Sequence, residues 1–177
     1  PHIWLSDEEI RQGQRLLEQL PDKAGTPPIA LHPYATHPDK AWKEAYWRQL
    51  MELFESRGIP WIVIGRGSGM EGIPASRNFT NRTSLRETCA LLKSSSLLIT
   101  GDSGPMHLAG AVGTPVLALF GPTTEEWGFF PAGPKDRVLE SQLDCRPCTL
   151  HGKKHCDRNH ACMQSITPEQ VMRALDE

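Results

Sequence analysis

The sequence has no apolar stretch approaching the roughly 20 residues that a membrane-crossing helix needs. Its first residues, Pro1-His2-Ile3-Trp4, carry neither the basic n-region nor the apolar h-region of an export signal. Both absences lead to the expectation of a soluble, unexported, cytoplasmic chain. Charge of one sign is lacking too: 19 Lys and Arg face 21 Asp and Glu, for a formal net charge of -2. That balance excludes the broad basic footprint of a nucleic-acid binder and a polybasic membrane anchor. No Walker A lysine motif occurs, so ATP hydrolysis is unsupported, and Gly65, Gly67 and Gly69 miss the G-x-G-x-x-G spacing of a dinucleotide fingerprint. They read as a flexible loop with at most one nucleotide contact. Internal repeats and low-complexity tracts are missing as well. The ligand expected of such a chain is a small molecule. At 177 residues it suits one α/β domain, and opening on Pro without an initiator Met, it reads as the later part of a longer polypeptide.

What is there alternates. Ser6 and Glu9 form a capping-box pattern that opens a helix over Asp7 to Leu20, with Ile10, Leu16, Leu17 and Leu20 at helical spacing. Ile29-Ala30-Leu31, closed by Pro33, suits a buried parallel strand. Lys43 to Arg57 carries Tyr46, Trp47, Leu50, Leu53 and Phe54 on one helical face, with Gly58 as C-cap. Strands follow at Trp61–Ile64, Leu97–Thr100 and Val116–Phe120, with helices at Ser84–Lys93, capped by Ser84 and Glu87, and at Gly104–Val112. Thr167-Pro168-Glu169 opens a terminal helix of about 167–176. The fold class expected is α/β, Rossmann-like, a mostly parallel sheet with helices on both faces. In such a sheet ligands sit beyond the carboxyl ends of the strands. That rule selects the loops Pro33–Lys40, Gly65–Glu71, Gly101–His107 and Gly121–Trp127 as one rim.

Gly101–His107 is the most informative of the four. A helix starting near Ser103 points unpaired N–H groups and its positive dipole end at the rim, where an anion such as a diphosphate is stabilised. Gly104 permits close backbone approach, and Pro105 gives up an N–H the first turn does not use. Asp102 is suited to sugar hydroxyls and His107 to a phosphate oxygen or the sugar. The competing reading has Asp102 merely capping the helix and His107 packing on a neighbour.

Beyond Asp144 the composition shifts to Cys, His and Lys, a small Cys-rich insertion of about 144–163. Cys145, Cys148, Cys156 and Cys162 have spacing suited to a structural zinc or iron, with His151, His155 or His160 able to replace a thiol. Free thiols are the alternative, and disulfides the less expected one in a reducing compartment. Cys89 reads as a small core residue.

Taken together, Gly101-Asp102-Ser103-Gly104-Pro105-Met106-His107-Leu108-Ala109-Gly110-Ala111, Gly113-Thr114-Pro115-Val116 and Phe120-Gly121-Pro122-Thr123 resemble the signature of glycosyltransferase family 9, the ADP-heptose:lipopolysaccharide heptosyltransferases, whose fold is GT-B. His32-Pro33-Tyr34-Ala35-Thr36 with Lys40-Ala41-Trp42, Cys145-Arg146-Pro147-Cys148 and Ile166-Thr167-Pro168-Glu169 extend the resemblance over nearly the whole chain, with Tyr34 in place of the usual Gly and Lys43 in place of the usual Pro.

The resemblance implies the C-terminal, donor-binding half of an inverting enzyme that transfers heptose from ADP-heptose to the lipopolysaccharide inner core without a catalytic metal. It implies donor-binding roles for Thr36, Lys40, Glu71, Thr83, Asp102, Ser103, Gly104 and His107, with Lys40 also stabilising the leaving group. The catalytic base and the acceptor site are implied to lie in an N-terminal domain outside this chain, which alone is expected to bind donor and not to turn over. A peripheral position at the inner face of the inner membrane accompanies that reading. Two alternatives stand beside it: a GT-B domain using another nucleotide sugar such as a UDP-sugar, and a non-enzymatic interaction module built on the cysteine knuckle.

Overall fold

The computed structural model describes residues 2–21, 25–68, 70–128, 130–149 and 156–176. Five parallel strands form its sheet: β1 (Ile29–His32), β2 (Trp61–Val63), β3 (Leu97–Gly101), β4 (Val116–Phe120) and β5 (Arg137–Glu140), in the order β2-β1-β3-β4-β5. Every residue of β1, β2 and β4 is buried. Covered on both faces, these strands run as continuous apolar segments.

Helices supply the cover. On one face, α2 (Glu44–Arg57) and α6 (Pro168–Asp176) close a cluster of Trp42, Trp47, Leu50, Phe54, Leu31, Ile99, Val171 and Met172. On the other, α3 (Leu85–Lys93) and α4 (Gly104–Val112) bury Leu91, Leu92, Met106 and Ala109 against Ala30, Leu98 and Ala118. Outside α3 lies α1 (Asp7–Leu17). Gly13 makes that packing possible, since a Cβ there would stand 2.7 Å from the Ala90 backbone. Both expected capping boxes are formed, Ser6 with Glu9 and Ser84 with Glu87, and Gly58 ends α2 in the left-handed conformation.

Sequence expectation and structure differ at the margins. The first helix stops at Leu17, three residues short of the apolar Leu20, because Leu20 packs on the core from a turn. β5 was not anticipated: its Arg-Val-Leu-Glu segment is short and half-buried, as an edge strand is. A short helix, α5 (Ala161–Gln164), occupies part of the Cys-rich region. None of the described helices is long and apolar enough to cross a membrane.

The strand order places the site. From β1 the chain moves outward to β2, then returns to lay β3 on the other side of β1. At this switch point the loops leaving β1 and β3 diverge and open a crevice beyond the strand ends. His32 and Thr100 are paired at its floor.

Candidate functional site at the strand switch point

A cavity of about 500 Å³ fills the crevice. Its wall comes from His32, Tyr34, Ala35 and Thr36 after β1, Gly65 and Arg66 after β2, Thr83, Leu85 and Thr88 around the start of α3, and Ser103, Gly104, Pro105 and Leu108 of the α4 corner. Three of the four loops expected on the rim therefore line it. The fourth, Gly121–Trp127, does not, because a buried arginine ties it down elsewhere.

The floor is polar and closed. His32 is 6% exposed, and its Nδ1 lies 3.0 Å from Thr100 Oγ1 and 3.3 Å from Ser103 Oγ, while the two hydroxyls are 2.9 Å apart. Burial lowers the His32 pKa to about 4, so the imidazole is neutral at physiological pH. Tyr34 stands edge-on to it and bonds Thr80 Oγ1 through its hydroxyl at 2.7 Å. The alternating glycines have their reason here. A Cβ on Gly65 would come within 2.8 Å of the Tyr34 ring and 2.5 Å of the His32 ring, and one on Gly67 would also collide with Tyr34. Rather than a merely flexible loop, Gly65 and Gly67 form a surface against which an aromatic ring fits; Gly69 lies outside the described residues.

The α4 corner has an open helix end. Ser103 occupies the N-cap position, yet its side chain makes no capping bond, and Pro105 has no N–H. Gly104 N–H has no acceptor among the described residues. Asp102 does not cap the helix either. It binds Lys40 Nζ at 2.6 Å, each side chain 14% exposed. Lys40 is brought there by a single 3-10 turn, Pro38–Lys40. On the far side of that turn, Asp39 Oδ1 meets His160 Nε2 at 2.8 Å. The pairing of Lys40 with Asp102 sits beside the cavity wall, next to the open helix end.

With this geometry in place, comparison with known proteins becomes specific. Residues 5–157 match the family model of glycosyltransferase family 9 (heptosyltransferase). The chain belongs to glycosyltransferase family 9. Lipopolysaccharide heptosyltransferase 1 of Pseudomonas aeruginosa is 35% identical over 153 residues, covering 78% of this chain and 40% of that protein. Among solved structures, Escherichia coli ADP-heptose lps heptosyltransferase II superposes with a TM-score of 0.74 at 22% identity, over 99% of this chain and 52% of that one. The dodecameric iron-containing heptosyltransferase TibC in complex with ADP-D-beta-D-heptose gives 0.70 at 24% identity, over 89% and 46%. The chain thus spans about half the length of the relatives it matches, and its sheet is that of one half of their GT-B fold.

Within this family 9 chain, the residues singled out from sequence fall into three groups. Thr36, Thr83, Ser103 and Gly104 lie on the cavity wall. Lys40 and Asp102 meet each other at its edge. Glu71 and His107 are exposed and stand off the wall, so the reading of His107 as packed against a neighbour does not hold. Sequence reasoning missed the floor formed by His32 and Thr100 and the exposed apolar Leu85 at the cavity mouth. The strand-end position of His32, three residues before the Ala35-Thr36 of the loop, was the signal available for it.

The Cys-rich segment behaves otherwise. Among the described residues no three His, Cys, Asp or Glu side chains converge as a metal-ligand set, and no disulfide joins the described cysteines. His151 and His155 lie outside the described residues, and His160 directs its Nε2 to Asp39. The described residues by themselves do not complete a tetrahedral site, although Cys148 and Cys156 stand near enough to Cys162 to add to the rise that burial gives its thiol pKa. What holds this region is Arg146, whose side chain is 6% exposed. Its guanidinium donates to the carbonyls of Gly121 and Ser141, to Thr123 O at 2.6 Å and to Glu140 Oε2 at 2.7 Å. Cys89, buried in α3 with its thiol pKa raised by that burial, is the core residue expected.

Proposed function

We propose that this chain is the donor-binding half of a heptosyltransferase that takes ADP-heptose as donor. The observation that carries the reading is the cavity at the switch point, where the uncapped end of α4 and the Lys40–Asp102 pair stand side by side. An open helix end with an adjacent cation suits a diphosphate. Leu85, Leu108 and Thr83 give the other end of the cavity the mixed apolar character that a nucleobase uses. The name of the Pseudomonas relative and the ligand of the TibC complex support heptose on ADP.

The chemistry proposed is inverting displacement at the anomeric carbon. Departure of ADP develops negative charge on the diphosphate, and Lys40 with the α4 amides is placed to stabilise it, a role worth about 10²–10³ in rate for a well-placed donor. For this, Lys40 shares its hold between Asp102 and the incoming phosphate. Thr36 and Asp102 serve the diphosphate and sugar, Thr83 the base. Glu71 and His107 reach the ligand only if it extends past the cavity mouth. Deprotonation of the acceptor, the lipopolysaccharide inner core, falls to a base outside this chain. The whole chain acts as one donor-binding domain, with residues about 144–163 as an insertion pinned by Arg146. It binds donor and does not turn over by itself, and in the complete enzyme it works in the cytoplasm at the inner face of the inner membrane.

Calorimetry with ADP and UDP tests the reading. ADP binding in the micromolar range with UDP at least tenfold weaker is expected. A preference for UDP moves the assignment to another nucleotide sugar, and no heat with either at millimolar ligand removes nucleotide binding altogether.

A further inference from the structure

The His32 ring on the cavity floor is hydrogen-bonded through one nitrogen only. Its Nδ1 lies 3.0 Å from Thr100 Oγ1 and 3.3 Å from Ser103 Oγ, and its Nε2 has no hydrogen-bond partner among the described residues. Unpartnered side-chain atoms that are fully enclosed occur at Trp47, Ser94 and Thr123, and not at His32. Although the residue as a whole is buried, Nε2 therefore keeps an opening, and the space that His32 borders is the cavity. Gly65 preserves that opening. It lines the same cavity, and a Cβ on it would stand 2.5 Å from Cδ2 and 2.9 Å from Nε2, closing over that edge of the ring.

The neighbours of Nδ1 fix what Nε2 does. The Thr100 hydroxyl donates to the carbonyl of Gly101 at 3.1 Å, and a carbonyl only accepts. With its proton committed there, Thr100 Oγ1 faces Nδ1 as an acceptor. A bare Nδ1 at 3.0 Å would set lone pair against lone pair, so Nδ1 carries the ring proton. The imidazole is neutral, its pKa lowered by burial to about 4. Nε2 is then the bare nitrogen, which accepts a hydrogen bond and has none to give. A phosphate oxygen, itself an acceptor, gains nothing at that atom; a hydroxyl does.

Among the described wall residues none is a carboxylate, and Glu71 stands off the wall. His32 has the α4 corner beside it through Ser103, and Gly65 over its other edge, with Thr83 and Leu85 farther along the wall. In a nucleoside diphosphate the part that joins the diphosphate to the base is the ribose, whose hydroxyls donate. We propose that His32 Nε2 accepts a hydrogen bond from a ribose hydroxyl of the nucleotide, so that His32 is a specificity-determining residue selecting ribonucleotides over deoxyribonucleotides. This role rests on the nucleotide-sugar reading and gives the ribose a partner inside the cavity.

Two measurements use the unaltered chain. Long-range nitrogen–proton NMR of isotope-labelled protein near pH 7 should show one histidine, identified by its absence from a His32 variant, with Nδ1 protonated and Nε2 bare. ADP should move that Nε2 resonance, and 2′,3′-dideoxy-ADP should not. In calorimetry ADP should bind about tenfold more tightly than 2′,3′-dideoxy-ADP, the effect of one hydrogen bond. His32→Asn, whose amide still donates to Thr100, removes the acceptor: ADP should weaken about tenfold and the dideoxy nucleotide keep its wild-type affinity. His32→Gln, whose amide oxygen reaches the Nε2 position, should retain the preference for ADP. If His32→Asn does not fold, the wild-type pair of nucleotides still decides. A protonated Nε2 in the free chain, equal affinity of wild type for the two nucleotides, or a preference that survives in His32→Asn would each overturn the proposal, and with ADP still bound each leaves the nucleotide reading standing. Failure of wild type to bind ADP defeats that reading and the ribose role together.

Discussion

The α4 corner and the Cys-rich segment are equally dense in suggestive residues, and the fold treats them differently. At the corner, Asp102 to Gly104 follow a buried strand and open a helix, so their positions are set by regular hydrogen bonding within about one residue. The segment from Cys145 to Thr149 has no regular structure. There, Cys148 and Cys156 come near enough to act on the Cys162 thiol without completing a ligand set among the described residues, and a buried arginine with four oxygen partners pins the chain. Motif spacing is informative in proportion to the regularity of the backbone that carries it.

The comparison breaks most readily at Arg146. Replacing it with Leu leaves three carbonyls and Glu140 without their donor, and a loss of about 3–5 kcal/mol is expected for removing one partner of a buried charged network. Chemical denaturation measures it; a neutral result would return the clip to the cysteines.

At the corner the corresponding stress is acid. His32 has its pKa lowered to about 4 from an ordinary 6.5 by burial, so the unfolded chain takes up this proton first as pH falls. The contribution is intact above about pH 6.5 and declines as pH drops toward 4. At most about 3 kcal/mol is lost across that window. Denaturation curves between pH 7 and pH 4 should show it, and His32→Asn should flatten the decline.

A smaller effect is expected from Lys40→Ala, which removes a charge-assisted partner from a bound diphosphate. ADP should bind about 10- to 100-fold more weakly, or about 1.5–3 kcal/mol, and the melting temperature should fall as well, because each member of the Lys40–Asp102 pair is only 14% exposed and Asp102 loses its partner. An ADP affinity equal to wild type would detach Lys40 from the site. The smallest effect belongs to Cys145→Ser with Cys148→Ser. Both residues are half-buried, and a change within about 0.5 kcal/mol is expected, along with less than about a tenth of an equivalent of metal in protein purified anaerobically. Stoichiometric zinc or iron, lost in the double variant, would reinstate the metal.

Several of these features are legible in the residues alone. The strand–helix alternation, both capping boxes and the glycine after α2 have local causes in residue type and period. The edge strand β5 escaped because a four-residue alternation with two charged ends resembles loop sequence. The roles of Gly65 and Gly67 escaped because the ring they accommodate belongs to Tyr34, on another strand's loop.

By itself, then, the sequence determined the elements, the parallel sheet and the candidate corner, since each follows from interactions among residues within a few positions of one another. Tertiary structure alone decided which side chains meet. Lys40 and Asp102 are 62 positions apart, and His32 and Ser103 71. Their contacts exist because β3 returns to lie beside β1, a placement set by burial of both faces of the sheet.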